Sequence, residues 1–98
     1  MPVAEDELQP AEPDPRDLQI LAVLRERDGV LTEVVLKDGA VRRVWNIAWG
    51  YDDGNSWAHV STNVSPGGGD RSFDFFSTYD VAAVRDPASG RLLVQPAT

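Results

Sequence analysis

At Gly29 the chain changes its period. Before it, apolar residues recur at helical spacing. After it, short runs rich in β-branched and aromatic residues alternate with turn dipeptides. The change confines the fold to one helix followed by several strands. Asp14 is a good N-cap, Pro15 suits the first helical position, and Asp17 lies in the positive field of the first turn. Leu18, Leu21 and Leu24, widened by Ile20 and Val23, make an apolar stripe that needs a sheet to cover. Arg25 and Arg27 suit the C-terminal end of the helix dipole, and Gly29 is the expected left-handed stop. The helix is predicted over 15–28.

Strands are predicted over 30–37, 41–51, 57–64, 72–77, 81–85 and 91–95. They are separated by Asp38-Gly39, Asp53-Gly54, a Gly-rich loop at 65–70, a single turn at 78–80 and a turn at 86–90. One helix and five or six short antiparallel strands imply a mostly β protein, a small barrel or roll of SH3-like or Sm-like architecture. The long second strand can bend across two sheets in such a barrel. The alternative is an α+β fold with the helix packed on an open antiparallel sheet. The likeness is one of architecture alone. Val44 and its neighbours stand where an Sm protein carries a glycine in its second strand.

The net charge of −7 is unevenly spread. Five of the sixteen acids, Glu5, Asp6, Glu7, Glu12 and Asp14, fall within residues 1–15, which hold no Lys or Arg. Residues 1–13 also carry Pro2, Pro10 and Pro13 and few large apolar groups, so they are expected to be a disordered acidic tail on a single domain over 14–98. The remaining body is close to neutral and repels a phosphate backbone only weakly. No run of apolar residues spans a membrane, and no signal peptide is recognisable. The chain lacks cysteine, which excludes disulfides, thiolate metal sites and thiol nucleophiles and fits a reducing, cytoplasmic compartment. Eight arginines against the single Lys37 fit a high-GC bacterial genome.

The Asp53-Gly54 hairpin admits two registers. A two-residue turn pairs Asp52 with Asn55 and Gly50 with Trp57; a three-residue loop pairs Trp49 with Trp57. A one-residue slip exchanges the faces. The first register gathers Trp45, Ile47, Trp49 and Tyr51 with Ala58, Val60 and Val64 into a coherent core. It leaves Val44, Asn46, Ala48 and Gly50 with Trp57, His59, Ser61 and Asn63 on a mostly polar face, and is preferred for that reason. Trp57 then stands across from Gly50, where its ring either covers the bare glycine or forms a contact patch with His59 and Asn46.

Chemistry-bearing patterns are sparse. His59 is the only histidine. Ser61 shares its face, but no nucleophile signature surrounds the pair. Asp52, Asp53 and Asn55 beside Gly54 lack the ligand spacing of a calcium loop, and turn chemistry explains them. Gly67-Gly68-Gly69 is followed by no Lys-Ser or Lys-Thr and joins strands, so it is no phosphate loop. No metal, cofactor or catalytic residue is expected. The reading is a non-catalytic protein-interaction or self-association module of a bacterial cytosolic protein, with Trp57, His59 and Asn46 as the contact patch. The alternative is a small-barrel protein binding single-stranded RNA or DNA through Arg42, Arg43 and Arg71. Arg42 and Arg43 point to opposite faces of their strand, so at most one of them can meet Glu33 across the first hairpin.

Overall fold

A computed structural model of the chain describes residues 12–63 and 74–96. Helix α1 spans Pro15–Glu26. The strands are β1 Thr32–Leu36, β2 Val41–Val44, β3 Ile47–Gly50, β4 His59–Thr62, β5 Phe75–Ser77, β6 Val81–Arg85 and β7 Leu92–Val94, with a 3₁₀ turn at Thr78–Asp80. They form two antiparallel sheets, ordered β2-β1-β6-β7 and β3-β4-β5. Among the described residues the fold is mostly β with one α-helix, and the two sheets do not close into a barrel. The expectations for the tail, the Gly-rich loop, the first residues of the fourth strand and Arg71 lie outside the described residues.

The helix begins as its sequence dictates. Asp14 Oδ1 accepts a hydrogen bond from the Arg16 amide at 2.8 Å, and Pro15 opens the first turn. The Asp14 amide donates to the Ser56 carbonyl at 3.0 Å, which ties the helix start to the loop between β3 and β4. The helix ends two residues earlier than predicted. Arg27 is drawn into the end of the larger sheet, where its guanidinium donates to Thr32 Oγ1, the Leu31 carbonyl and Asp86 Oδ1. Gly29 takes φ +83° as expected, and its amide reaches the Trp45 carbonyl at 2.6 Å.

The buried helix face is Asp17, Ile20, Leu21 and Leu24, a clean i, i+3, i+4, i+7 stripe. Leu18, expected in the stripe, is exposed, and a carboxylate takes its place. Ile20, Leu21 and Leu24 meet Val34 and Leu36 of β1, Val44 of β2, Ala58, Val60 of β4, Phe76 of β5, Val81 and Val84 of β6 and Val94 of β7 in one core. That core draws on the helix and on both sheets.

The predicted second strand divides at Trp45 and Asn46, so β2 and β3 belong to different sheets. Asn63 explains the break. It sits in the left-handed region at φ +58°, one of the few conformations asparagine tolerates there. Its Oδ1 accepts from the Trp45 amide at 2.9 Å and its Nδ2 donates to the Arg43 carbonyl at 3.0 Å. Its own amide donates to the Asn46 carbonyl at 2.8 Å. One residue thus satisfies the backbone where the ladder stops. The bend also corrects the predicted faces. Val44 and Asn46, expected on the polar face, are both buried, while Trp49 and Tyr51, expected in the core, are exposed.

The second hairpin follows neither predicted register. Gly50 pairs with His59, Trp49 with Val60 and Ile47 with Thr62. A turn closes over residues 52–55, with the Asn55 amide on the Asp52 carbonyl at 3.0 Å and Gly54 at φ +78°. Only its second central residue has positive φ, so it is not the type I′ turn expected. The ladder stops at Gly50 because residues 56–58 are held to the helix instead, through Ser56 and through the Ala58 amide on Asp17. The shift from the preferred register is two residues. An even shift keeps every side chain on its face.

Candidate interaction face

Two side-chain systems flank the three-stranded sheet. On its inner side, fully buried Asp17 collects three donors from three elements. The Ala58 amide and the Thr78 hydroxyl donate to Oδ1, and the Tyr51 phenol donates to Oδ2. The carboxylate lies in the first turn of α1, where the helix dipole favours negative charge. Tyr51 is pushed up to about 12, first by burial, then by the hydrogen bond to Asp17 and by the Asp17 charge. It remains a donor throughout the ordinary pH range. This cluster welds the helix start to the end of β3, the start of β4 and the 3₁₀ turn, and in doing so sets the sheet's outer side.

That outer side follows from the register. Ala48, Ser61 and Phe75 form one row across the sheet, and Gly50, His59 and Ser77 form the next. Beyond the strand ends come Trp57, in the loop before β4, and Tyr79, in the 3₁₀ turn after β5. Their rings meet edge to face, with centroids 5.4 Å apart and planes at 80°. The Lys37 ammonium stands 3.7 Å from the Tyr79 ring centroid, a cation–π contact. The floor of the face is made of small residues, Ala48, Gly50, Ser61 and Ser77. Phe75 is 68% exposed and Tyr79 54% exposed.

Trp57, expected beside His59 on one face, packs on Tyr79 just before β4, while His59 stands in β4 itself. His59, not Trp57, covers the glycine: a Cβ on Gly50 would lie 3.2 Å from His59 Nε2. His59 Nδ1 is 3.7 Å from Asp52 Oδ1, and both side chains are well exposed. Trp57 is half-buried against Tyr79. Asn46 is buried at the far end of β3, about 13 Å along the strand from Gly50. It is not on this surface.

Of the alternative basic site only Arg42 and Arg43 are described, Arg71 lying outside the described residues. Arg42 and Arg43 do lie on opposite faces of β2, and Arg42 Nε is 3.7 Å from Asp74 Oδ1. Glu33 is opposite Arg43 in register, yet its carboxylate pairs with Arg85 from the other side, at 2.7 Å from Nη2. Arg43 lines an open cavity of about 400 Å³ with Glu33, Val41, Asp74 and Arg85. Among the described residues no three His, Asp or Glu side chains gather as a metal site. No described helix is long and apolar enough to cross a membrane.

Sequence reasoning missed Phe75, Tyr79 and Asp17 as key residues. Each left a signal. Adjacent phenylalanines 75 and 76 in a strand must point to opposite faces, so one of them faces outward. Phe75, Ser77 and Tyr79 share its parity. Asp17 falls on the helical spacing of Ile20, Leu21 and Leu24, which marks a buried position. No family model, no curated protein and no solved structure matches the chain.

Proposed function

We propose that the chain is a non-catalytic protein-interaction module whose binding surface is the outer face of the three-stranded sheet. The observation that carries the reading is the placement of Phe75 and Tyr79, both more than half exposed, on a face floored by Ala48, Gly50, Ser61 and Ser77. Burying an exposed phenylalanine is worth about 1.5–3 kcal/mol, so a partner on this face gains most from its aromatic ends. Small residues between them let a partner approach closely. The inner-side Asp17 cluster makes the face rigid, which lowers the ordering cost of binding.

The lack of cysteine supports work in a reducing, cytoplasmic compartment. The nucleic-acid reading draws less support. Of the eight described basic residues, six are engaged within the chain: Arg16, Arg25, Arg27, Lys37, Arg42 and Arg85. Few remain to release counterions from a phosphate backbone.

The test is a selection of displayed peptides against the full chain, repeated on Phe75→Ala, Tyr79→Ala and Arg43→Ala. Ligands lost with Phe75→Ala or Tyr79→Ala and kept with Arg43→Ala support the reading. Ligands that depend on Arg43 and not on the aromatics refute it.

A further inference from the structure

Resting on that reading, we infer that the partner of this face is a second copy of the chain, docked about a twofold axis that runs parallel to β4. The face carries its own complement. At one level along the strands, Phe75 projects on the β5 side and Ala48 leaves a hollow on the β3 side, with Ser61 midway. At the next level, Ser77 and Gly50 flank His59 in the same way. Beyond the ladder, exposed Asp52 lies next to His59 on the β3 side, while Lys37 and Tyr79 lie on the β5 side.

A half-turn about an axis parallel to β4 keeps each level and exchanges the β3 side with the β5 side. Phe75 of each copy then lands over Ala48 of the other, and Ser77 over the His59 ring that covers Gly50. Lys37, held over the Tyr79 ring, meets Asp52 of the second copy. Knob meets hollow and cation meets carboxylate, each twice, as an isologous interface requires. The His59 ring lies down over Gly50 and so does not hold the sheets apart.

The size of the face sets the strength. Three strands about 4.8 Å apart and three levels about 6.6 Å apart give roughly 285 Å² in projection. A standard interface covers about 800 Å² per partner. The dimer is therefore of the exchanging kind, formed as concentration rises and lost on dilution.

The experiment is sedimentation of the full chain from micromolar to millimolar concentration, with four variants. The mass is expected to climb from one chain toward two. Phe75→Ala, whose side chain is mostly exposed, is expected to weaken association about tenfold or more. Lys37→Asp and Asp52→Lys are each expected to weaken it, and the double reversal to restore it. A chain that stays monomeric at every concentration overturns the inference, as does association that Phe75→Ala leaves unchanged or that the double reversal does not recover. A strict monomer that still takes selected peptides on Phe75 and Tyr79 ends this inference alone. Loss of those ligands as well ends the reading on which it rests.

Discussion

Asp17→Ala tests the cluster that holds the interaction face in place. The substitution removes the acceptor of three donors and leaves them in unequal surroundings. The Ala58 amide and the Thr78 hydroxyl belong to fully buried residues. Each stranded buried donor costs about 1–3 kcal/mol. The Tyr51 phenol belongs to a residue 37% exposed and regains water, so it adds little. Against this stands relief from keeping a carboxylate in the interior with no cation beside it. The donors left behind are neutral, so the loss stays at the low end of what breaking a buried charged contact costs. We expect about 3 kcal/mol. A chain of this length has a total stability of about 5–15 kcal/mol, so the effect is large. In urea, with a slope of about 1.5 kcal/mol/M, the midpoint falls by about 2 M. Asp17→Asn keeps Oδ1 for the Ala58 amide and the Thr78 hydroxyl and forces only Tyr51 to turn from donor to acceptor. It is expected to cost about 1 kcal/mol. Equilibrium urea unfolding followed by tryptophan fluorescence reads both. If alanine costs no more than asparagine, or raises stability, the cluster is not what secures the helix to the small sheet.

Three further outcomes follow from the geometry. The Tyr51 phenol titrates higher in the folded chain than unfolded, near 12 against an ordinary 10. Its contribution is therefore complete below pH 10 and lost as pH rises to about 12; melting temperatures across that window should fall for the native chain and fall less for Tyr51→Phe. The Asp86 carboxyl is held below its ordinary value first by the Ser89 hydroxyl, which outweighs the opposing effect of burial, and then by the Ala88 amide and Arg27. Its contribution is present above the unfolded value of 3.8 and lost as pH falls through the lowered folded value, so acid unfolding of Asp86→Ala should be shallower than that of the native chain. Asn63→Gly keeps the left-handed backbone but removes the two side-chain hydrogen bonds at the strand break; a loss of about 1–2 kcal/mol in urea unfolding is expected, and no loss would mean the break is held by something else.

Local chemistry made parts of this fold legible. Asp14, Pro15 and Gly29 mark the helix because capping and left-handed termination act within a few residues. The strand at Val81–Arg85 and the turn after it were readable for the same reason. The register of the second hairpin was not, because Asp17, far away in sequence, holds the Ala58 amide and takes residues 56–58 out of the ladder. The faces of β4 survived because the slip was even. The burial of Val44 and Asn46 was hidden by the bend, which depends on Asn63 reaching back to Arg43 and Trp45. Strand parity put Trp57 beside His59, although Trp57 lies just before β4. Phe75 and Tyr79 could not be joined to them without knowing that β5 pairs with β4. The buried Asp17 was read as a dipole partner because its apolar spacing and its charge point in opposite directions, and only tertiary donors decide between them.

The most direct test of self-association through the interaction face is an amide-resolved NMR dilution series on the full native chain. As concentration rises, the account predicts shifts confined to Lys37, Ala48, Gly50, Asp52, Trp57, His59, Ser61, Phe75, Ser77 and Tyr79, with Val41, Arg43 and Arg85 of the larger sheet unmoved. Shifts centred on Val41, Arg43 and Arg85 instead, or none at any concentration, would contradict it.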